Sequence, residues 1–181
     1  MPKMTLNTLR SPRKAAAALM PTADQLGNFV RESWKRLSGI PGGKAVFSRI
    51  AGLTAPYTGT IGAQVVELER GHAKVTMKDR RSVRNHLNCV HAVALVNLAE
   101  LTGNIAIAFS MPEDARFIVA GLSIEYVKKA RGTITGLCEC PIPESSERAE
   151  YLVPVQLFNP SGEIVATATL KTLIGPRRRT T

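Results

Sequence analysis

Cysteine, histidine and aromatic residues are all scarce in this chain, at three cysteines, three histidines and 5% aromatics in 181 residues. The odd cysteine count, with no Cys-x-x-Cys pair and no His-rich partner motif, excludes a disulfide framework and a zinc site. Cys138 and Cys140 stand two apart in a strand-like run, so they share one face as small apolar residues. That usage fits a reducing cytoplasm. Also missing are an internal repeat, an inter-domain linker and a secretory signal. The apolar patch at 15–20 is shorter than a signal's apolar region, and Pro21 ends it.

Acids are scarce at the two ends. Residues 1–49 hold nine Lys/Arg against Asp24 and Glu32, and Arg177, Arg178 and Arg179 add three more positive charges. The span 50–176 balances twelve bases with twelve acids, so the formal +10 belongs to the ends. Charge confined to solvated tails does not make a nucleic-acid binder. The acid-free stretch up to Leu19 has a faint likeness to an organelle transit peptide, without a cleavage signal.

What is present suits one domain with a buried core: 44% hydrophobic residues and a mean hydropathy near zero. Residues 1–21 read as a loose basic arm. Over 22–56 a helical extension is expected, the first helix capped by Thr22 or Asp24 and presenting Leu26, Phe29, Val30, Trp34 and Leu37 on one face. A second, short helix is expected over 44–53. Pro56 and Gly59 open an extended region that leads into Val-rich strands at 61–69 and 73–77. After a basic break at 78–84, residues 91–109 form an almost uniformly apolar segment. Its length approaches that of a membrane span, but Asn97, Glu100 and Asn104 interrupt it and no aromatic anchors flank it. It reads as a buried helix of a protein without membrane spans.

Four Val/Ile/Thr-rich strands follow, at 117–129, 132–140, 149–159 and 163–174. Asn159-Pro160-Ser161-Gly162 sits between the last two as a hairpin loop. Two strands, a buried helix and four strands predict an α+β antiparallel sheet wrapped around a long central helix. The boundaries are an arm over 1–21, the helical extension over 22–56, the main domain over 57–176 and a basic tail over 177–181.

The segment Asn85-His86-Leu87-Asn88-Cys89-Val90-His91-Ala92-Val93, with Glu100 as the only acid of the helix, resembles the active-site segment of hotdog-fold acyl-CoA thioesterases, and in particular a poorly characterised branch of them. That superfamily places an Asn, a short polar loop, His-Gly-Gly at the helix start and an acid nine residues after the His. Asn85, His91 and Glu100 match the spacing, while His91-Ala92-Val93 stands where the superfamily has His-Gly-Gly. Around Val119, where related enzymes often carry a polar water-positioning residue, this chain is apolar. The resemblance implies a hotdog fold and hydrolysis of an acyl-CoA substrate. It needs no metal or separate cofactor, coenzyme A being part of the substrate.

Elementary chemistry assigns roles to the same residues. Thioester hydrolysis needs an activated water or an attacking carboxylate, and donors for the carbonyl oxygen as it becomes negative. Glu100 is the candidate base or nucleophile, and Asn85 the residue that orients water or carboxylate, or else a turn former. His91 is a candidate catalytic residue or a helix cap. The amides of Ala92 and Val93 at the helix start are candidate oxyanion donors. His72 and His86 read as loop residues. His91 and Glu100 are separated by about 900° of helical rotation, at roughly 100° per residue. They point to nearly opposite sides of the helix, so a homodimer with two shared sites, or a tetramer, is expected. The clusters Lys78, Arg80, Arg81, Arg84 and Lys128, Lys129, Arg131 are solvated loops or candidate holders of the coenzyme A phosphates. The rival readings are a non-catalytic acyl-CoA or acyl-carrier-protein binder on the same fold, and a hotdog hydratase or dehydratase.

Overall fold

The computed structural model describes residues 24–178, so the expected arm, Thr22 and Arg179 lie outside the described residues. Helices α1 (Leu26–Leu37), α2 (Gly43–Thr54) and α3 (Pro56–Gly59) come first. Strands β1 (Gln64–Glu69) and β2 (His72–Met77), a 3-10 turn at Arg81–Val83 and the long helix α4 (Ala92–Ser110) follow. The chain then runs through β3 (Ala115–Tyr126), β4 (Ile134–Glu139), β5 (Ala149–Phe158) and β6 (Ile164–Pro176). The strands form one antiparallel sheet in the order β1-β2-β4-β5-β6-β3. With α4 packed along its inner face, this is the hotdog fold.

The helix is buried because its small residues let the sheet close on it. Twelve of its nineteen residues are buried. Gly103 and Gly136 set the spacing. A Cβ on Gly103 would come 2.9 Å from Leu170 Cδ2, and one on Gly136 would come 2.5 Å from Thr102 Oγ1. Thr102, fully buried, donates its hydroxyl to the Leu98 carbonyl at 2.7 Å and so needs no outside partner. By length and hydropathy α4 passes for a membrane span, but the sheet takes its apolar surface.

The N-terminal helices finish what the sheet leaves open. Arg31 of α1 donates to the carbonyls of Phe109 and Met111 at 3.3 and 2.6 Å, placing a guanidinium at the C-terminal end of α4 where helix carbonyls lack partners. Trp34 meets Phe47 edge to face with ring centroids 5.0 Å apart, which locks α1 to α2. Lys44 Nζ donates to the Val66 carbonyl at 2.6 Å, and the Val65 N–H donates to Ser48 Oγ at 2.9 Å, so α2 covers the β1 edge of the sheet.

Several expectations shift. The N-cap of α1 is Gln25, neither Thr22 nor Asp24, and no side chain caps it. Asp24 instead stands 3.6 Å from Arg116 of β3. Residues 56–59 form a helical turn where an extended segment was expected, because Pro56 takes the first helical position that its fixed φ suits. His72 is no loop residue. It opens β2, with Nδ1 2.6 Å from Glu139 Oε1 and Nε2 3.4 Å from Glu67 Oε2. Burial opposes its charging, but the two carboxylates prevail and raise its pKa. All three cysteines are free and buried, and Cys138 and Cys140 do face the same side.

Candidate active site

The polar loop before α4 is built by Asn85. Its Oδ1 accepts the N–H groups of Leu87 at 2.9 Å and Cys89 at 3.4 Å, so the side chain mimics a backbone turn. The loop delivers the chain to His91, the N-cap of α4, whose Nδ1 accepts the Val93 N–H at 3.1 Å. Of the two amides expected to receive an oxyanion, Val93's is therefore already engaged. Ala92, as first helical residue, has no intrahelical acceptor for its own.

A cavity of about 280 Å3 opens at this helix start, lined by Asn85, Ala92, Leu95, Tyr126 and Lys129 among others. Tyr126 closes β3 over it and donates its hydroxyl to the Ala92 carbonyl at 3.3 Å. Burial pushes the Tyr126 pKa up, which keeps the phenol a donor.

Glu100 does not line this cavity. It lies about 12 Å farther along the axis than Ala92, at 1.5 Å per residue, on the side of α4 turned away from the sheet. The spacing of Val93, Asn97, Glu100 and Asn104 places them on that same side. Asn97 Nδ2 donates to the Tyr57 carbonyl at 3.1 Å, which anchors α3, but its Oδ1 and that of Asn104 are buried without partners. Glu100 is half-buried and makes no hydrogen bond or ion pair among the described residues. One subunit thus brings Asn85 and Ala92 to one cavity, with His91 beside it as the N-cap, and holds Glu100 apart.

The basic clusters divide in the same way. Arg80 donates to the Thr60 carbonyl at 2.9 Å and Lys128 is paired with Glu163. Arg84 Nε contacts Asp79 Oδ1 at 2.6 Å, and the Gly132 N–H meets Asp79 Oδ2 at 2.9 Å. Arg84 chiefly, then Gly132, hold the Asp79 carboxyl below its ordinary pKa against the opposing effect of burial. This ties together a cavity of about 510 Å3 that Lys78 and Arg131 also line. Arg81, Lys129 and Arg131 are exposed and unpaired among the described residues. Sequence reasoning missed Tyr126, because only the course of β3 across the sheet brings it to the helix start. Among the described residues, no cluster of three or more His, Cys, Asp or Glu side chains that could hold a metal is present.

Comparison with known proteins agrees with the fold. Residues 43–174 match the family described as a domain of unknown function, DUF4442. A structural-genomics crystal structure shares 30% identity and a TM-score of 0.71, over 82% of this chain and 99% of that one. A Pseudomonas aeruginosa protein given as of unknown function and "Probable Thioesterase" shares 22% identity and a TM-score of 0.66, over 76% and 97%. A thioesterase family protein from Silicibacter pomeroyi shares 19% identity and a TM-score of 0.61, over 71% and 96%. No curated protein matches.

Proposed function

Since the chain belongs to the DUF4442 family and has the hotdog fold, we propose that it is a homodimeric hydrolase of acyl-CoA thioesters with Glu100 as general base or nucleophile. The observation that carries this reading is the polar row Asn97, Glu100 and Asn104 on an otherwise apolar helix, with unmet bonding capacity on the side away from its own sheet. Buried polar atoms without partners are rare in folded proteins and call for a ligand or a partner.

The second subunit is argued from β3. It is a twelve-residue edge strand, and long unprotected edges invite pairing. A bulge between Val119 and Gly121 reverses the alternation, so Phe117 and Val119 before it and Leu122 and Ile124 after it all pack inward. Antiparallel pairing of two copies about the strand's middle then sets Phe117 against Ile124 and Val119 against Leu122, inward residue to inward residue. It also sets Arg116 against Glu125, an acid that has no partner among the described residues of its own subunit. These inward residues are only partly buried in one subunit, as a face awaiting cover would be. The two α4 helices run antiparallel across such an interface, the start of one beside the Glu100 of the other.

In the composite site the Ala92 N–H of one subunit faces the thioester oxygen. Glu100 of the other takes a proton from the attacking water or attacks the carbonyl carbon itself. The C–S bond breaks and the coenzyme A thiolate leaves, protonated by Glu100 on the base route and by water on the nucleophilic one, where a second water then cleaves the acyl–Glu100 anhydride to free the acid. E100A and E100Q are expected to lower kcat at least 100-fold, the usual worth of a general base, in assays of thiol release from acyl-CoA thioesters of graded chain length. Undiminished turnover would sink the assignment. One observation favours a second reading, an acyl-CoA binder without turnover: the His91 ring occupies the Val93 N–H. Ligand-dependent thermal stabilisation without thiol release would establish it.

A further inference from the structure

Three arginines distant in sequence meet on the outer face of the sheet. Arg116 at the start of β3, Arg148 just before β5 and Arg178 just after β6 border a cleft of about 650 Å3. Its floor is apolar: Ile118 and Leu173 face each other across the β3–β6 pair and remain 66% and 40% exposed. The Arg148 stem lies over Gly175, with its Cγ 3.5 Å from where a Cβ would stand. Glu150 is the one acid in the lining, and Lys171 already pairs with it at 3.2 Å. Arg116 is held by the Pro176 carbonyl at 3.2 Å and by Asp24. Arg148 and Arg178 make no hydrogen bond or ion pair among the described residues. Free guanidinium forks beside an apolar slot suit a ligand with both phosphates and a flat ring, since arginine binds phosphate bidentately and stacks on aromatic faces.

We propose that this cleft holds the phosphorylated adenosine end of coenzyme A for the active site of the other subunit. The proposal rests on the dimeric thioesterase reading. When two β3 strands pair about their middle, the Arg116 end of one lies beside the Glu125–Tyr126 end of the other. Tyr126 touches Ala92, and Lys129 lines the same cavity. The cleft of one subunit therefore borders, on the outer face of the joined sheet, the strand end whose inner face carries the helix start of its partner. Arg148 and Arg178 from one side and Lys129 from the other form the phosphate set, and the flexible arm of coenzyme A crosses the seam to the thioester. The loop around Arg84 is a poorer rival, because Asp79 already takes the Arg84 charge.

The test uses the full-length dimer and adenosine 3′,5′-bisphosphate as probe. Calorimetry is expected to show binding that R148A and R178A each weaken at least tenfold, with urea midpoints unchanged. In kinetics, the advantage in KM of acyl-CoA over acyl-pantetheine is expected to collapse towards one in both variants. Co-expression of R148E with K129E chains is expected to restore tight probe binding at one of the two sites in the mixed dimers, because only a site shared between subunits leaves one intact pair. No restoration, or probe affinity indifferent to R148A and R178A, would overturn the proposal. Probe binding through these arginines without turnover of any thioester would retain the cleft and sink the hydrolase.

Discussion

The His91 imidazole and the Val93 backbone are joined at the start of α4, where Nδ1 accepts the N–H at 3.1 Å. A side chain that matches a catalytic motif is thereby spent on helix capping, and the neighbouring Ala92 amide is left without an intrahelical acceptor. The substitution of Ala-Val for Gly-Gly has a second effect. Val93 stands 50% exposed on the Glu100 side of the helix, so in the proposed site its methyl groups would border the path of an acyl chain towards that carboxylate.

H91A is expected to lose about 1 kcal/mol of stability, the usual worth of an N-cap side chain, whereas H91N restores a good cap. Urea denaturation reads the first effect. Turnover of H91N within a few-fold of wild type will assign His91 to capping. A loss above 100-fold at an unchanged urea midpoint would return it to the chemistry.

Asn85 is separable in the same manner. N85D keeps the acceptor that holds the Leu87 and Cys89 amides and is expected to fold as wild type, while N85A loses about 1 kcal/mol. The amide NH2 is absent from both. If it orients water or the thioester, turnover falls by about 100-fold in N85D despite the intact loop.

G136A tests the fit between helix and sheet. The added methyl would stand 2.5 Å from Thr102 Oγ1, and overpacking of this kind costs about 1–3 kcal/mol. T102A removes the obstructing oxygen, so the double variant should be more stable than additivity predicts, by at least about 0.5 kcal/mol. Thermal or urea unfolding of the four proteins closes the cycle.

Two groups predict opposite slopes of stability with pH. His72 has a raised folded pKa, so its contribution is complete below its ordinary 6.5 and is lost as pH rises through the higher folded value. Asp79 has a lowered one, so its contribution is complete above its ordinary 3.8 and is lost as pH falls through the lower folded value. H72Q should flatten the near-neutral slope, by well under 1 kcal/mol for so exposed a cluster. D79N should flatten the acid one. Urea midpoints across pH 2–9, a range set by these two windows, decide both.

Much of the fold was legible because hydrophobic patterning is local. The run at 91–109 declared a helix buried on most sides, and the alternating Val-rich runs declared strands, each within a few residues of its observed bounds. The motif spacing singled out Asn85, His91 and Glu100, and the half-turn mismatch between the last two already implied that one subunit separates them. The turn at Pro56–Gly59 was missed because four residues carry no periodicity.

The sequence by itself determined the elements, the central helix and the identity of its one acid, since these follow from residue types read a few positions apart. Tertiary structure alone decided the rest. It put Tyr126 on the Ala92 carbonyl and gathered Arg116, Arg148 and Arg178 around one cleft. The reason is physical: those residues stand up to 62 positions apart, and strand order and the β3 bulge, not local propensity, set which side chains share a site.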